Sequence, residues 1–166
     1  MCSCCPISAI LVVNYGGNVS PEVVGVDRFK RYILPHYNEF ADVLHQHGKL
    51  LAVHLDARLG LIAREIADSR IDCIEAFTPE PDGDMSVAEA RAIWPEKVIW
   101  LNFPSSVHIQ SKSAIEQTTR QILRQAAPGH RFLIGVTESV PSERWQQSFR
   151  AIANVINAEG HLPLQA

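Results

Sequence analysis

Five short apolar runs, separated by stretches of helical periodicity, constrain the fold of this sequence more than any other feature. Apolar residues recur at helical spacing in Val26–His47, Leu59–Ala67, Ser113–Ala126 and Ser142–Ala158. The runs are rich in Val, Ile and Leu, as strands covered on both faces are. A βα unit repeated five times predicts a parallel sheet with right-handed crossovers. The five predicted strands are Ala9–Asn14, Leu50–His54, Cys73–Phe77, Val98–Asn102 and Phe132–Val136.

Several residues predict where the helices begin and end. Gly48 follows the first long helix at the position where glycine commonly closes a helix, and Pro35 predicts a kink or a split within it. Ser86 and Glu89 have the spacing of a capping box that opens a short helix ending before Pro95. The turn Pro128-Gly129 closes the helix that precedes the last strand.

Two architectures accommodate five βα units. One is part of a (β/α)₈ TIM-type barrel, although a whole barrel usually needs about 250 residues and this chain has 166. The alternative is a flavodoxin-like doubly wound sheet. In both architectures the carboxyl ends of the strands form the functional edge, so polar residues at those ends are the first candidates for a site.

Composition restricts the function classes. The net charge is −3, without a basic cluster, which argues against nucleic-acid binding. No apolar run approaches the roughly 20 residues of a membrane helix, and the start MCSCCPIS does not resemble a signal peptide, so we expect a cytoplasmic protein. We expect residues 1–8, with Cys2, Cys4 and Cys5, to be disordered, residues 9–160 to form one α/β domain, and the tail HLPLQA to be loose.

Polar residues stand at the carboxyl ends of the predicted strands. His54 and Asp56 are two residues apart and therefore share one face of their strand. Burying a carboxylate costs several kcal/mol unless it is paired or binds a metal, so this recurrence predicts a site, although His54 could instead be a core histidine held by Asp56. The corresponding residues on the other strands are Asn14, Glu75, Asn102, Thr137 and Glu138.

The loop after the third predicted strand, Thr78-Pro-Glu-Pro-Asp-Gly-Asp84, adds carboxylates that its prolines hold in place. We take Glu80 as a candidate catalytic residue beside Glu75, and Asp84 as a structural turn residue. The remaining six histidines have no partner pattern of this kind and are expected to be structural or solvated.

Four segments of the chain carry a family resemblance: NVSPEVVG, FKRYILPHYNEFADVLHQHGKLLAVHLD, IDCIEAFTPEPDGDMSVAEARAIWPEKVIWLNFP and FLIGVTESVPSE. With these segments the sequence resembles the C-terminal part of the uroporphyrinogen decarboxylase (URO-D) superfamily, which includes the decarboxylases of haem synthesis and cobalamin-dependent methyltransferases. The resemblance implies a (β/α)₈ barrel of which this chain supplies about five strands, completed by a missing half or through a homo-oligomer.

The resemblance also implies a metal site. In the methyltransferase branch a His-x-Cys pair and a later Cys hold zinc, whereas this chain has His54-x-Asp56 and, later, Glu138 without a cysteine. Carboxylates suit zinc with a bound water, or another divalent transition metal such as manganese or iron(II). The methyl group would move to or from a corrinoid on a partner protein, or another acceptor. Glu75 would be a general base, Asn14, Asn102 and Thr137 would bind a small-molecule substrate, and the catalytic set would be Glu75, Glu80 and Asn102.

Two other functions remain open. A uroporphyrinogen decarboxylase-like lyase of porphyrin biosynthesis would need a cation for the substrate carboxylates, and Arg58 and Arg91 are candidates. That branch carries a Gly-His-Gly turn before the last proline, where this chain has Val136-Thr137-Glu138 before Pro141. The third possibility is a non-catalytic barrel fragment completed by another chain. We favour metal-dependent methyl transfer.

Overall fold

The protein contains one five-stranded sheet, described by a computed structural model over residues 10–17, 19–56, 58–136 and 140–166. All four strand pairs are parallel, and the strands lie in the order of the chain, β1-β2-β3-β4-β5. The predicted start of the first strand at Ala9, the predicted disordered segment 1–8 and its cysteines lie outside the described residues. The strands are β1 Val12–Tyr15, β2 Leu50–His54, β3 Cys73–Phe77, β4 Val98–Asn102 and β5 Phe132–Gly135.

The strand order confirms the barrel-type architecture and excludes the doubly wound alternative. A doubly wound sheet reverses its direction of growth and covers both faces with helices. Here each strand adds to the same edge, so the crossover helices collect on one face. Leu51 and Val53 of β2 and Leu55, the residue directly after it, point to that face and are at most 1% exposed within the hydrophobic core. Their neighbours Ala52 and His54 point to the opposite face, which we call the inner face.

Helices follow every strand, as the periodicity predicts. The predicted long helix runs continuously but contains a π-helical turn, Phe29–Ile33, directly before Leu34–Gln46. Pro35 accounts for this irregularity because it lacks the N–H that a regular helix would use. The α-helices are α1 Pro21–Val24, α2 Val26–Arg28, α3 Leu34–Gln46, α4 Ala63–Ala67, α5 Val87–Ile93, α6 Ser105–His108, α7 Lys112–Ala126 and α8 Trp145–Glu159, and a 3₁₀ turn spans Gly60–Ile62.

The capping residues have the predicted roles. Ser86 Oγ accepts the Glu89 backbone N–H at 3.2 Å, and the Ser86 N–H donates to Glu89 Oε2 at 2.8 Å. Gly48 adopts φ +65°, the left-handed conformation that glycine tolerates best. None of the described helices has both the length and the apolar character needed to span a membrane.

The C-terminal tail differs from the prediction. It is not loose, because Leu164 is 7% exposed within the core and its N–H donates to the Pro128 carbonyl at 3.0 Å. The alternation of the segment HLPLQA is too short to predict this docking. Leu164 can pack against the turn because Gly129 has no side chain. A Cβ on Gly129 would lie only 2.9 Å from Leu164 Cδ1.

Candidate active site

A histidine–carboxylate pair joins β2 and β3 at their carboxyl ends. Register places His54 beside Glu75 on the inner face. His54 Nδ1 lies 2.7 Å from Glu75 Oε2. The Glu75 side chain is only 7% exposed, whereas His54 is 30% exposed. Because an ionised carboxylate only accepts hydrogen bonds, Nδ1 carries the proton and donates it. The buried carboxylate therefore fixes both the orientation and the tautomer of the imidazole.

The other imidazole nitrogen faces Asp56. His54 Nε2 lies 3.6 Å from Asp56 Oδ2, too far for a hydrogen bond. In the neutral ring, protonation at Nδ1 leaves the lone pair on Nε2. The lone pair of His54 Nε2 and the partly exposed Oδ2 of Asp56 thus lie side by side at the carboxyl end of the sheet. Such a pair suits a divalent cation, because neutral imidazole and carboxylate are ordinary metal ligands.

A β-bulge after Glu75 shapes this part of β3. The register with β4 shifts between Glu75 and Phe77, and Ala76 adopts φ +61°. Without an extra residue, Phe77 would share the inner face with Glu75. The bulge instead directs Phe77 into the core, where it packs edge-on against Trp94. It also brings Thr78 to the inner face.

Asn102 and Asn14, the predicted substrate-binding amides, occupy different environments. Asn102 is fully buried, and its Nδ2 donates to Thr78 Oγ1 at 3.3 Å. Asn14 is exposed on β1 and pairs in register with Ala52, two residues before His54. Asn102 therefore belongs to a packed polar layer, whereas Asn14 lies on the open part of the inner face.

Glu80, the third predicted catalytic residue, lies in the loop after β3, beside α7. It is exposed and lines a surface groove with Thr118 and Gln121 of α7. The structure therefore does not bring Glu80 to the His54–Glu75 pair.

The aspartates of the same loop connect three neighbouring βα loops. Asp84 accepts the backbone N–H groups of Leu59 and Gly60 at 3.0 and 3.2 Å, after β2. Asp82 accepts the Ser106 N–H at 2.9 Å and the Ser106 hydroxyl, after β4. Asp84 is structural as predicted, but it caps the turn of a neighbouring unit. Asp82 and Asp84 therefore hold together the loops that follow β2, β3 and β4.

Two predicted residues, Thr137 and Glu138, lie outside the described residues, so the third arm of the expected metal triad has no described position. Among the residues that are described, no group of three His, Cys, Asp or Glu side chains is arranged to hold a metal ion. Arg91, one candidate cation for substrate carboxylates, donates to the Lys97 and Pro95 carbonyls. That contact lies near the amino end of β4, so Arg91 is structural.

The end of β1 packs closely against the backbone of His54. Gly16 adopts φ +127°, and a Cβ there would lie 3.4 Å from both the backbone nitrogen of His54 and the hydroxyl oxygen of Tyr37. Burial raises the pKa of Tyr37 to about 12, with a further contribution from Tyr15, so the phenol stays protonated. The sequence analysis did not identify Tyr37. The sequence signal for this close packing is the pair of glycines, Gly16 and Gly17, directly after Tyr15 at the end of β1.

The sequence does not predict the pairing of Glu75 with His54, because strand-end position alone indicates Glu75 as an independent base. Register between adjacent parallel strands is the information that the sequence lacks. Both side chains stand near a strand end on the same face, which is compatible with pairing but does not predict it.

Comparison with known proteins identifies the chain's relatives. Residues 8–157 match the family model described as uroporphyrinogen decarboxylase (URO-D). No curated protein gives a significant match. Among solved structures, a methyltransferase from Methanosarcina mazei superposes with a TM-score of 0.63 at 15% identity, covering 89% of this chain and 43% of that one. This chain therefore spans less than half the length of that relative, and the likeness concerns the fold.

Proposed function

Because the chain belongs to the uroporphyrinogen decarboxylase family, we propose that it acts in metal-dependent methyl transfer, with a divalent transition metal held by His54, Asp56 and Glu138. The observation that carries the proposal is the 2.7 Å contact between His54 Nδ1 and the buried Glu75 carboxylate. Histidine ligands of metals almost always donate their second N–H to such a group, which fixes the ring and raises its basicity. Glu75 is thus a positioning residue.

The two first ligands have a suitable separation. Two ligands of one tetrahedral zinc ion, each about 2.0–2.1 Å from the metal, lie roughly 3.3 Å apart. His54 Nε2 and Asp56 Oδ2 are 3.6 Å apart, so a small side-chain adjustment would allow both to bind one ion. Glu75 and Asp56 also concentrate negative charge beside His54, which favours a cation electrostatically.

The chain's own residues would prepare the site for the reaction. A bound divalent metal would supply Lewis acidity that polarises an acceptor or a methyl donor. Glu75 holds the His54 ring, and the Asn102–Thr78 hydrogen bond keeps a polar layer at the strand ends. Asn14, on the open inner face, is the candidate for orienting a small-molecule substrate. A corrinoid carried by a partner protein is the proposed methyl carrier.

Methyl transfer fits these residues better than decarboxylation of a tetrapyrrole. The substrate of such a lyase carries several carboxylates, so its site needs cations. Arg91 is committed to backbone carbonyls, and Arg58 is exposed in the loop after Asp56. The candidate site itself contains two carboxylates, Glu75 and Asp56, beside one histidine. A site of this charge would repel an anionic substrate unless a metal ion lay between them.

Calorimetric titration with Zn²⁺ and Mn²⁺ tests the proposal. We expect one ion per chain for the wild type and at least a tenfold loss of affinity for His54→Ala. The matched control is His45→Ala, because His45 forms a comparable pair with Asp72 at 2.8 Å and similar exposure, but near the amino end of the sheet. Binding that survives in His54→Ala, or that is lost equally in His45→Ala, would contradict the proposed site.

A further inference from the structure

The inner face of the sheet carries exposed apolar side chains. In the described part of the chain, the helices pack on the opposite face. Val12, Leu50 and Leu133 share the inner face with His54 and are 43%, 36% and 50% exposed. These side chains lie on β1, β2 and β5, so the apolar surface is concentrated towards both edges of the sheet. Surface of this kind ordinarily marks an interaction site.

Among the described residues, no strand pairs with the outer edge of β1 or of β5. Strand β1 reads VVNY and β5 reads FLIG, without a charged residue or a proline in either. Natural edge strands usually carry charges, prolines or bulges that prevent pairing. The absence of these protective features from both edges indicates that each edge meets another strand.

The direction of the backbone N–H and C=O groups also supports pairing of β1 and β5 with further strands. The Leu11 carbonyl accepts the Leu50 N–H from β2, and the Arg131 carbonyl accepts the Ile99 N–H from β4. The Gly135 carbonyl accepts the N–H of Phe103, directly after β4. Alternate residues of a strand direct their N–H and C=O groups to opposite sides. The backbone groups of Val12 and Asn14 in β1 therefore point away from β2. Those of Phe132 and Ile134 in β5 likewise point away from β4.

We propose that a second copy of this chain covers these edges, with β5 of one copy lying parallel to β1 of the other. The sheet grows in one direction with every strand parallel, so β1 of a second copy occupies the position of the next strand after β5. A twofold axis along the strands makes this junction twice and leaves neither edge open. The same junctions cover Val12 and Leu133 and enclose the inner face.

Charged substitutions at the two edges test the proposal by sedimentation velocity and light scattering. We expect the wild type to be a dimer, and Val12→Lys and Leu133→Glu each to weaken association at least tenfold. Ile93→Lys is the control, because Ile93 is 40% exposed on α5, the helix that follows β3, the middle strand of the sheet. Circular dichroism checks that each variant keeps its helices and strands.

Mixing the two variants distinguishes edge pairing from other dimers. A mixture of Val12→Lys and Leu133→Glu has one unmodified junction and one with opposite charges, so it should form a heterodimer although neither variant associates alone. The Phe132 and Ile134 amides should exchange slowly in the dimer and faster on dilution.

Three results would overturn the proposal: a monomeric wild type, a dimer indifferent to both substitutions, or a mixture that stays monomeric. A monomeric wild type would assign the edges to a different polypeptide carrying further βα units. Metal titration of the same preparations reports separately on the proposed function, because it measures ion binding and not association.

Discussion

At the scale of single residues, the central feature is a histidine whose two nitrogens have different partners. Glu75 holds His54 Nδ1, and His54 Nε2 faces Asp56. The difference in exposure between the carboxylates, 7% for Glu75 and 26% for Asp56, separates their roles. The buried carboxylate positions the ring, and the accessible one is free to take part in binding.

Glu75→Gln should weaken metal binding without removing a ligand. The amide keeps the size of the side chain but is a poorer acceptor for the His54 N–H, so we expect about a 10- to 100-fold loss of Zn²⁺ affinity. Calorimetry measures this change, with Asp72→Asn in the His45 pair as the matched substitution. Unchanged affinity in Glu75→Gln would show that the buried carboxylate does not support the ring.

A second histidine, His108, should make stability depend on pH. It is fully buried, its Nδ1 lies 2.6 Å from Ser148 Oγ, and its Nε2 has no hydrogen-bond partner in the described structure. Burial lowers the pKa of His108, partly opposed by the charge of Asp82. The unfolded chain accepts a proton near the model-peptide pKa of about 6.5, whereas the folded chain resists it.

Stability should therefore be full above about pH 6.5 and fall as the pH drops below that value, because the unfolded state then binds more protons. Urea unfolding at several pH values measures the effect. His108→Gln should flatten the dependence in this window, and His130→Gln, at an exposed histidine, should leave it unchanged. An equally steep dependence in His108→Gln would refute the assignment to His108.

At the scale of secondary structure, the strands and their order were largely readable from the sequence, and the bulge in β3 was not. Apolar runs bounded by turn residues predicted the carboxyl ends of β2, β3 and β4 at the residue, whereas β1 ends one residue beyond its predicted end and β5 one residue before it. A bulge leaves no such pattern, because Cys-Ile-Glu-Ala-Phe reads as an ordinary strand. It results from tertiary packing, which draws Phe77 to Trp94 and Thr78 to Asn102.

The bulge should reduce the loss of stability that is caused by replacing Ala76 with glycine. Ala76→Gly removes a buried methyl group but relieves the left-handed backbone, which costs a non-glycine residue about 1–2 kcal/mol. Ala52→Gly removes an equally buried methyl group from β2, where no positive φ occurs. We expect Ala76→Gly to be less destabilising than Ala52→Gly by about 1 kcal/mol, as measured by denaturant unfolding. Equal losses at both positions would contradict the strain at Ala76.

The candidate site was only partly predictable for a related reason. Alternation places His54 and Asp56 on one face, so their proximity follows from the sequence. The pairing of His54 with Glu75, and the separation of Glu80 from both, depend on register and on the path of a loop. The prolines of that loop indicated stiffness but not direction.

At the scale of the whole molecule, five parallel strands in chain order make an open, barrel-like sheet. The family assignment and the solved methyltransferase structure agree with this fold. An open sheet buries less apolar surface than a closed one, so stability should depend on whatever covers its edges.

Association and stability should therefore be coupled. If the dimer forms through β1 and β5, the thermal midpoint should rise over about a hundredfold increase in protein concentration, because binding to the folded state alone stabilises it by mass action. Scanning calorimetry at several concentrations measures this shift, and Val12→Lys should abolish it. A midpoint independent of concentration in the wild type would separate stability from association.

The most direct test of the central claim is ¹⁵N nuclear magnetic resonance of the His54 ring during titration with Zn²⁺. We expect Nδ1 to keep its proton throughout, held by Glu75, and the Nε2 resonance to change strongly as the ion binds. Ring resonances of His54 that do not respond, while Zn²⁺ binds elsewhere or not at all, would contradict a metal site at His54 and Asp56.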